Sequence, residues 1–168
     1  GVTDPNGISA EYRYDGTGNR IYEKQIYGAV SVEFEHINDY TSENVEVLSK
    51  KNGTAYQNSF YGTERLSNRG RYYLYDGSGN VVFLVADGSI IGRYGYSDYG
   101  VTTVQLNDIE NDETSLVDEW TKLLNNEYGY NGEAQTVDGL QYLRSRYYDA
   151  ETGVFISRDS YRGEVQDL

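Results

Sequence analysis

Cysteine and methionine are absent from the 168 residues, and proline, tryptophan and histidine occur once each. Without cysteine there is no disulfide scaffold, no thiolate nucleophile and no zinc site of the cysteine type, while the cellular compartment stays open. The single histidine, His36, makes any Ser-His-Asp arrangement depend on one residue. No Gly-x-Ser-x-Gly elbow occurs, and alternation in "EFEHIND" sets Phe34 and His36 on one face of a strand. No apolar run of about 18 residues and no basic-then-apolar N-terminus is present, so the sequence shows neither a membrane span nor a signal peptide. Basic residues are scarce: 14 Lys and Arg stand against 27 Asp and Glu, a formal net charge of -13. That balance excludes nucleic acid as a direct partner, because phosphate binding needs a basic face. It fits a basic partner, or solubility alone.

Tyrosine and glycine fill the space left by the missing types, with 19 of each beside only four Phe. Tyrosine makes a sheet face bulky yet tolerant of water, since its hydroxyl finds a partner at the edge of a buried region. One phrase is spelled nearly twice: "YRYDGTGN" at 12–19 and "YLYDGSGN" at 73–80. Tyr12 and Tyr14, like Tyr73 and Tyr75, leave the same face of an extended strand. Asp15 and Gly16, and again Asp76 and Gly77, then open an Asp-Gly-x-Gly-Asn turn that reverses the chain. "YGYSDYG" (94–100) and "YGYNGE" (128–133) repeat the idea with looser endings, making four related units. These phrases read as structural turns rather than catalytic aspartates.

Strand patterns cover 6–15, 20–28, 28–39, 44–53, 54–62 and 70–77, and 80–98 reads as a hairpin turning at Asp87 and Gly88. Within it "VVFLV" is apolar enough to be covered on both faces. One stretch has the helical period instead: Leu116, Val117, Trp120, Leu123 and Leu124 form an apolar stripe. Asp112 is the N-cap, and a helix over 113–126 is expected to lie on the sheet as a lid. The fold class is therefore mainly β, with antiparallel hairpins and one short helix. Three parts are expected: a β-sheet over 1–100, an acidic loop and helix over 101–127, and a terminal motif over 128–168.

That terminal motif carries a resemblance. "GLQYLRSRYYD" followed by "ETGVFISRD", within 128–164, resembles the core that ends the Rhs, or YD-repeat, proteins. The motif residues include Arg146, Tyr147, Tyr148, Asp149 and Gly153. Upstream, "YGTERLS", "YYLYDGSGN" and "GRYGYSDYG" follow in the same order as in that core, so the resemblance spans essentially the whole chain. It implies a sheet ribbon that spirals into a hollow shell, with the terminal core curling inward as the start of a plug. It further implies a bacterial, secreted or cell-surface polymorphic toxin, in which the shell encloses a C-terminal effector beyond Leu168 and the core cuts itself by aspartic-type chemistry. Partners would then be that effector and neighbouring repeat strands.

The resemblance places self-cleavage at Asp159, with Arg158 beside it to hold or orient a carboxylate. An aspartic mechanism needs two carboxyls sharing a proton. The chain departs from the family pattern here: "ISRDSYRGEVQDL" lacks the Asp-Pro step often seen after "IS", and Asp167 does not match the second aspartate. Catalysis is therefore assigned to the longer parent protein, and this chain is not read as an enzyme. Asp108, Glu110, Asp112 and Glu119 take positions 1, 3, 5 and 12 of a calcium loop, but Glu113 replaces the required glycine, so neither metal nor cofactor is expected. Adhesion, as in animal relatives, or glycan binding through exposed tyrosine rings is the alternative function. Open sheet edges predict self-association.

Overall fold

The computed structural model describes residues 2–3, 8–41, 44–105, 126–136, 138–144 and 146–158. Two antiparallel sheets are present, and in both each strand pairs with its chain neighbours. The larger runs β1 (Val2–Thr3), β2 (Ile8–Tyr14), β3 (Arg20–Tyr27), β4 (Val30–Asp39), β5 (Glu46–Asn52), β6 (Ala55–Tyr61), β7 (Arg65–Asn68), β8 (Arg71–Tyr75), β9 (Val81–Ala86), β10 (Ser89–Tyr96) and β11 (Thr102–Gln105). The smaller has β12 (Ala134–Gln135), β13 (Gln141–Leu143), β14 (Arg146–Asp149) and β15 (Val154–Phe155). The mainly β, antiparallel class read from alternation is the class observed. The helix expected over 113–126 and the acidic calcium-loop residues lie outside the described residues, except Asn126.

In a meander, alternate turns lie at opposite ends of the strands. One rim carries two-residue turns such as Asp87-Gly88, where φ is +50° and +75°. Both angles are positive, as in the hairpin turn whose twist matches that of the flanking strands, which favours the Asp-Gly pair. The other rim carries the repeated phrase. Asp15 Oδ1 accepts hydrogen bonds from the amides of Thr17 and Asn19, each at 2.9 Å. Asp76 Oδ1 accepts from Ser78 and Asn80 at 2.8 and 3.0 Å. The fourth unit folds differently: Tyr130–Gly132 is a single 3-10 turn, and Tyr128 bridges Ala134 instead of leading a long strand. Strand β7, which begins in "YGTERLS" and ends at Asn68, was not anticipated by alternation.

A bulge recurs beside the phrase-bearing rim. The register shifts opposite Tyr14, between Ile37 and Asn38, between Phe60 and Tyr61 and between Leu74 and Tyr75, leaving Ile21, Leu48, Leu66 and Val82 as extra residues. Each bulge bends its strand and sharpens the local twist. The residue preceding the extra one in β3, β7 and β9 is buried: Arg20, Arg65 and Val81. On the opposite face Phe60, Leu66, Tyr72 and Leu74 stay exposed. Among the described residues the apolar core cluster is small, formed by Tyr73, Val81, Leu84 and Tyr128. "VVFLV" is accordingly buried at Val81 and Leu84 and half-buried at Val82, Phe83 and Val85.

Candidate functional site: a charged cavity beneath the terminal segment

The segment from Asn126 to Arg158 lies against one face of the large sheet, at the rim that carries the repeated phrase. Gly129 O accepts from the Val81 amide at 3.1 Å, and the Asn131 amide donates to Asn80 Oδ1 at 2.9 Å. Tyr142 OH accepts from the Arg20 amide at 3.0 Å and donates to Gly18 O at 3.1 Å. Tyr148 OH donates to Tyr99 O at 3.0 Å, so the segment ties the first phrase turn to the turn before β11.

Two buried arginines fix the seam. Arg20 lies 3.9 Å from the Tyr12 ring centre and 4.2 Å from that of Tyr142, and its Nη2 donates to Tyr147 OH at 3.0 Å. Arg65 lies 4.6 Å from Tyr61 and 3.6 Å from Tyr128. Each guanidinium thus sits between a ring of the sheet and a ring of the terminal segment. Desolvated cation–π contacts of this kind are worth about 2 kcal/mol or more. Arg65 Nη1 also donates to Ser59 Oγ at 2.8 Å.

Between these clasps lies an ionic network. Lys50 Nζ is 2.8 Å from Glu23 Oε2 and 2.6 Å from Glu127 Oε2, joining β3, β5 and the start of the terminal segment. His36 Nε2 approaches Glu23 Oε2 at 3.4 Å and Arg20 Nη1 reaches it at 3.9 Å. Arg144 pairs with Glu46 at 2.9 Å and Glu133 at 2.6 Å. Burial alone would raise the Glu23 carboxyl, but Lys50, His36 and Arg20 outweigh it and hold it well below the usual range. Burial likewise acts upward on Glu127, and Lys50 brings it below its ordinary value. Burial would lower Lys50, yet Glu127 and Glu23 keep it raised. Burial lowers His36 against the opposing pull of Glu23, and Lys50 adds to the lowering. Glu133 is raised by burial despite Arg144.

All of these groups except Glu23 line a cavity of about 530 Å³. Among the described residues, no group of three or more His, Cys, Asp and Glu side chains is arranged to hold a metal ion. No described helix is long and apolar enough to cross a membrane. The cavity lining presents fixed charges and hydrogen-bonding groups.

The motif residues named from sequence take distinct places. Tyr14 OH contacts Tyr147 OH across the seam. Tyr73 packs edge-on against Tyr128, with ring centres 5.9 Å apart. Tyr75 OH donates to Arg65 O at 2.7 Å, and burial pushes its hydroxyl up to about 12. Gly16 and Gly77 stand in the phrase turns with open space where a Cβ would be. Arg146 stacks on Phe155 at 3.9 Å. Asp149 accepts from the Glu151 amide and Thr152 Oγ1, and Gly153 turns the chain at φ +71°. Arg158 is exposed, and Asp159 lies outside the described residues. Sequence reasoning missed Arg20, Glu23, Lys50, Arg65, Glu127 and Arg144. A faint signal existed in "NRI" at 19–21 and "ERL" at 64–66, an arginine between a turn and an aliphatic residue.

The class defined by this geometry is an open, tyrosine-rich antiparallel meander whose terminal segment is clasped to one face. No family model matches the chain. In sequence it is similar to the tRNA3(Ser)-specific nuclease WapA of Bacillus spizizenii, 29% identical with 94% of this chain and 6% of that protein aligned. The tRNA nuclease WapA of Bacillus subtilis is 28% identical over the same shares, 94% and 6%. In fold it is similar to TcdB2-TccC3 without its hypervariable C-terminal region, at a TM-score of 0.62 and 18% identity, over 90% of this chain and 8% of that one. The Photorhabdus luminescens Tc holotoxin pore gives 0.58 and 17% over 88% and 7%. The chain thus spans 6% of the length of the curated relatives it matches. These likenesses support an Rhs-like, toxin-related segment.

Proposed function

We propose that the chain is a wall segment of an Rhs-type polymorphic toxin, with YD-repeat hairpins over 1–100, an insertion over 101–127 and the first part of a plug over 128–168. Its task is to enclose and present a C-terminal effector of the same secreted or cell-surface bacterial polypeptide. The observation that carries this reading is the terminal segment held to one face of an open meander by two sandwiched arginines and a buried ion network. A wall needs such a seam, because among the described residues its apolar core is small. The enclosed effector, not the wall, would supply any nuclease activity of the kind named in the WapA relatives. Self-cleavage in the parent protein is assigned to Asp159 with Arg158.

The test is to express the natural polypeptide with everything encoded beyond Leu168 and to treat it with proteinase K. The effector should survive while the protein is folded and be digested once the seam is broken by denaturant. An effector cut as fast in the folded protein as in the denatured one contradicts enclosure. Intact mass of an Asp159→Asn copy checks cleavage: two pieces in the natural form and one in the variant are expected.

A second reading, an adhesion or glycan-binding module, is favoured by the exposed rings of Tyr56, Phe60 and Tyr72 on the face away from the terminal segment. Saturable binding to a glycan array, lost in Phe60→Ala with Tyr72→Ala, is its signature.

A further inference from the structure

We infer that Asn52 is a site of spontaneous covalent modification, in which the Gly53 amide closes a succinimide ring on its side chain and water opens that ring to aspartate or isoaspartate. Asn-Gly is the dipeptide most open to this chemistry, because glycine has no side chain to shield its nitrogen and leaves the backbone free to turn. It occurs three times, at 6–7, 52–53 and 131–132. Asn6 lies outside the described residues, and the structure separates the other two.

In the first step the Gly53 nitrogen bonds to Asn52 Cγ and gives up its proton, and the side-chain amide leaves as ammonia. Water then adds to one of the two ring carbonyls. Opening at Cγ leaves aspartate in an ordinary chain. Opening at the main-chain carbonyl leaves isoaspartate, with the chain now running through Cβ and Cγ. Water is the sole co-reactant, and nothing is oxidised or reduced.

The nucleophile is the amide of the following glycine, and its surroundings differ between the two sites. Asn52 ends β5 opposite Ala55, and Gly53, at φ +57°, opens the two-residue turn between them. Asn52, Gly53 and Thr54 are all exposed. Among the described residues the Gly53 amide donates to no acceptor, and open space surrounds the place of a Cβ there. Asn131 is exposed as well, so exposure does not distinguish the pair. The Gly132 amide, however, donates to Gly129 O at 3.0 Å within the 3-10 turn, and the Asn131 amide is held by Asn80 Oδ1 at 2.9 Å. A Cβ at Gly132 would stand 3.5 Å from the Tyr75 ring and 3.7 Å from Gly79 O. Ring closure at Asn131 must first break a hydrogen bond that Asn52 does not have, a handicap of about tenfold in rate.

The isoaspartyl product lengthens the main chain beside a two-residue turn whose length sets the pairing of Asn52 with Ala55. The change falls on β5, the strand that carries Lys50 between Glu23 and Glu127.

The experiment ages the natural full-length polypeptide at neutral pH, folded in one sample and in guanidinium chloride in another. Peptides are then mapped by mass spectrometry, with electron-transfer fragmentation to tell isoaspartate from aspartate. In the folded protein Asn52 should convert at least about tenfold faster than Asn131. In denaturant the two should convert at similar rates, because the turn that guards Asn131 is gone. Equal rates in the folded protein overturn the inference, as does an Asn52 that stays intact when folded while the denatured sample converts. Asn52→Gln, whose longer side chain closes its ring far more slowly, should leave position 52 unmodified, and an acid formed there at the natural rate also overturns the assignment.

Discussion

Replacing Lys50 by methionine removes the one ammonium that holds Glu23 and Glu127 together. The side chain keeps its apolar stem length but leaves two carboxylates facing each other, with only His36, at 3.4 Å, and Arg20, at 3.9 Å, still beside Glu23. Breaking a buried pair by deleting one partner costs about 3–5 kcal/mol. The Glu127 side chain is 27% exposed, and such exposure screens the charge, which sets the expectation at the lower end, about 3 kcal/mol at pH 7. The assay is urea denaturation, with the midpoint falling and the slope unchanged. Acid changes the comparison in a definite direction. In the natural protein both carboxyls are held below their ordinary values, so their contribution is present above the ordinary carboxyl range and is lost as pH falls through the folded values. In the variant burial is opposed only by His36 and Arg20 beside Glu23, so the folded carboxyls take up protons more readily and the gap between the two proteins should narrow between pH 7 and pH 5. A triple variant, Lys50→Met with Glu23→Gln and Glu127→Gln, should recover most of the loss, because replacing a whole buried network is far cheaper than breaking it. A loss under about 1 kcal/mol at pH 7, the value of a surface pair, would refute the claim that the seam is ionic.

His36 has its folded value lowered by burial, so the unfolded chain binds its proton first and stability should fall as pH drops below the ordinary histidine range. Denaturation midpoints should show a slope of up to about 1.4 kcal/mol per pH unit there, absent in His36→Gln. Arg65→Lys keeps the charge but loses the flat stack between Tyr61 and Tyr128 and should destabilise by about 1–3 kcal/mol in the same assay. Gly18→Ala, at φ +91°, should cost about 1–2 kcal/mol. Gly16→Ala, with open space and no positive φ, should stay within about 0.5 kcal/mol.

The sheet was legible because its signals are local. Alternation in "YRY" and "YLY", and Asp-Gly chemistry at 15–16, 76–77 and 87–88, act within a few residues and agree with the observed strands and turns. The fourth unit, "YGYNGE", carries the same words but folds as a 3-10 turn, since Tyr128 is drawn into the core beside Tyr73 and cannot lead a free strand. Strand β7 escaped because a bulge at Leu66 breaks its alternation after one residue. The seam was not legible. Lys50 and Glu127 are far apart in sequence, and only folding shows that they meet at 2.6 Å. Arg20 and Arg65 look like solvated charges until the rings of Tyr142 and Tyr128 close over them. Composition supplied the rims and the strands, while the terminal segment's contacts supplied the site.

Enclosure is tested most directly by single-particle electron microscopy of the natural polypeptide, with the effector labelled by a bound antibody fragment. The account predicts a closed, hollow particle with this segment in its wall, density inside it, and no fragment bound until the seam is disrupted. An open ribbon, or a particle that binds the fragment on its outside while intact, would contradict it.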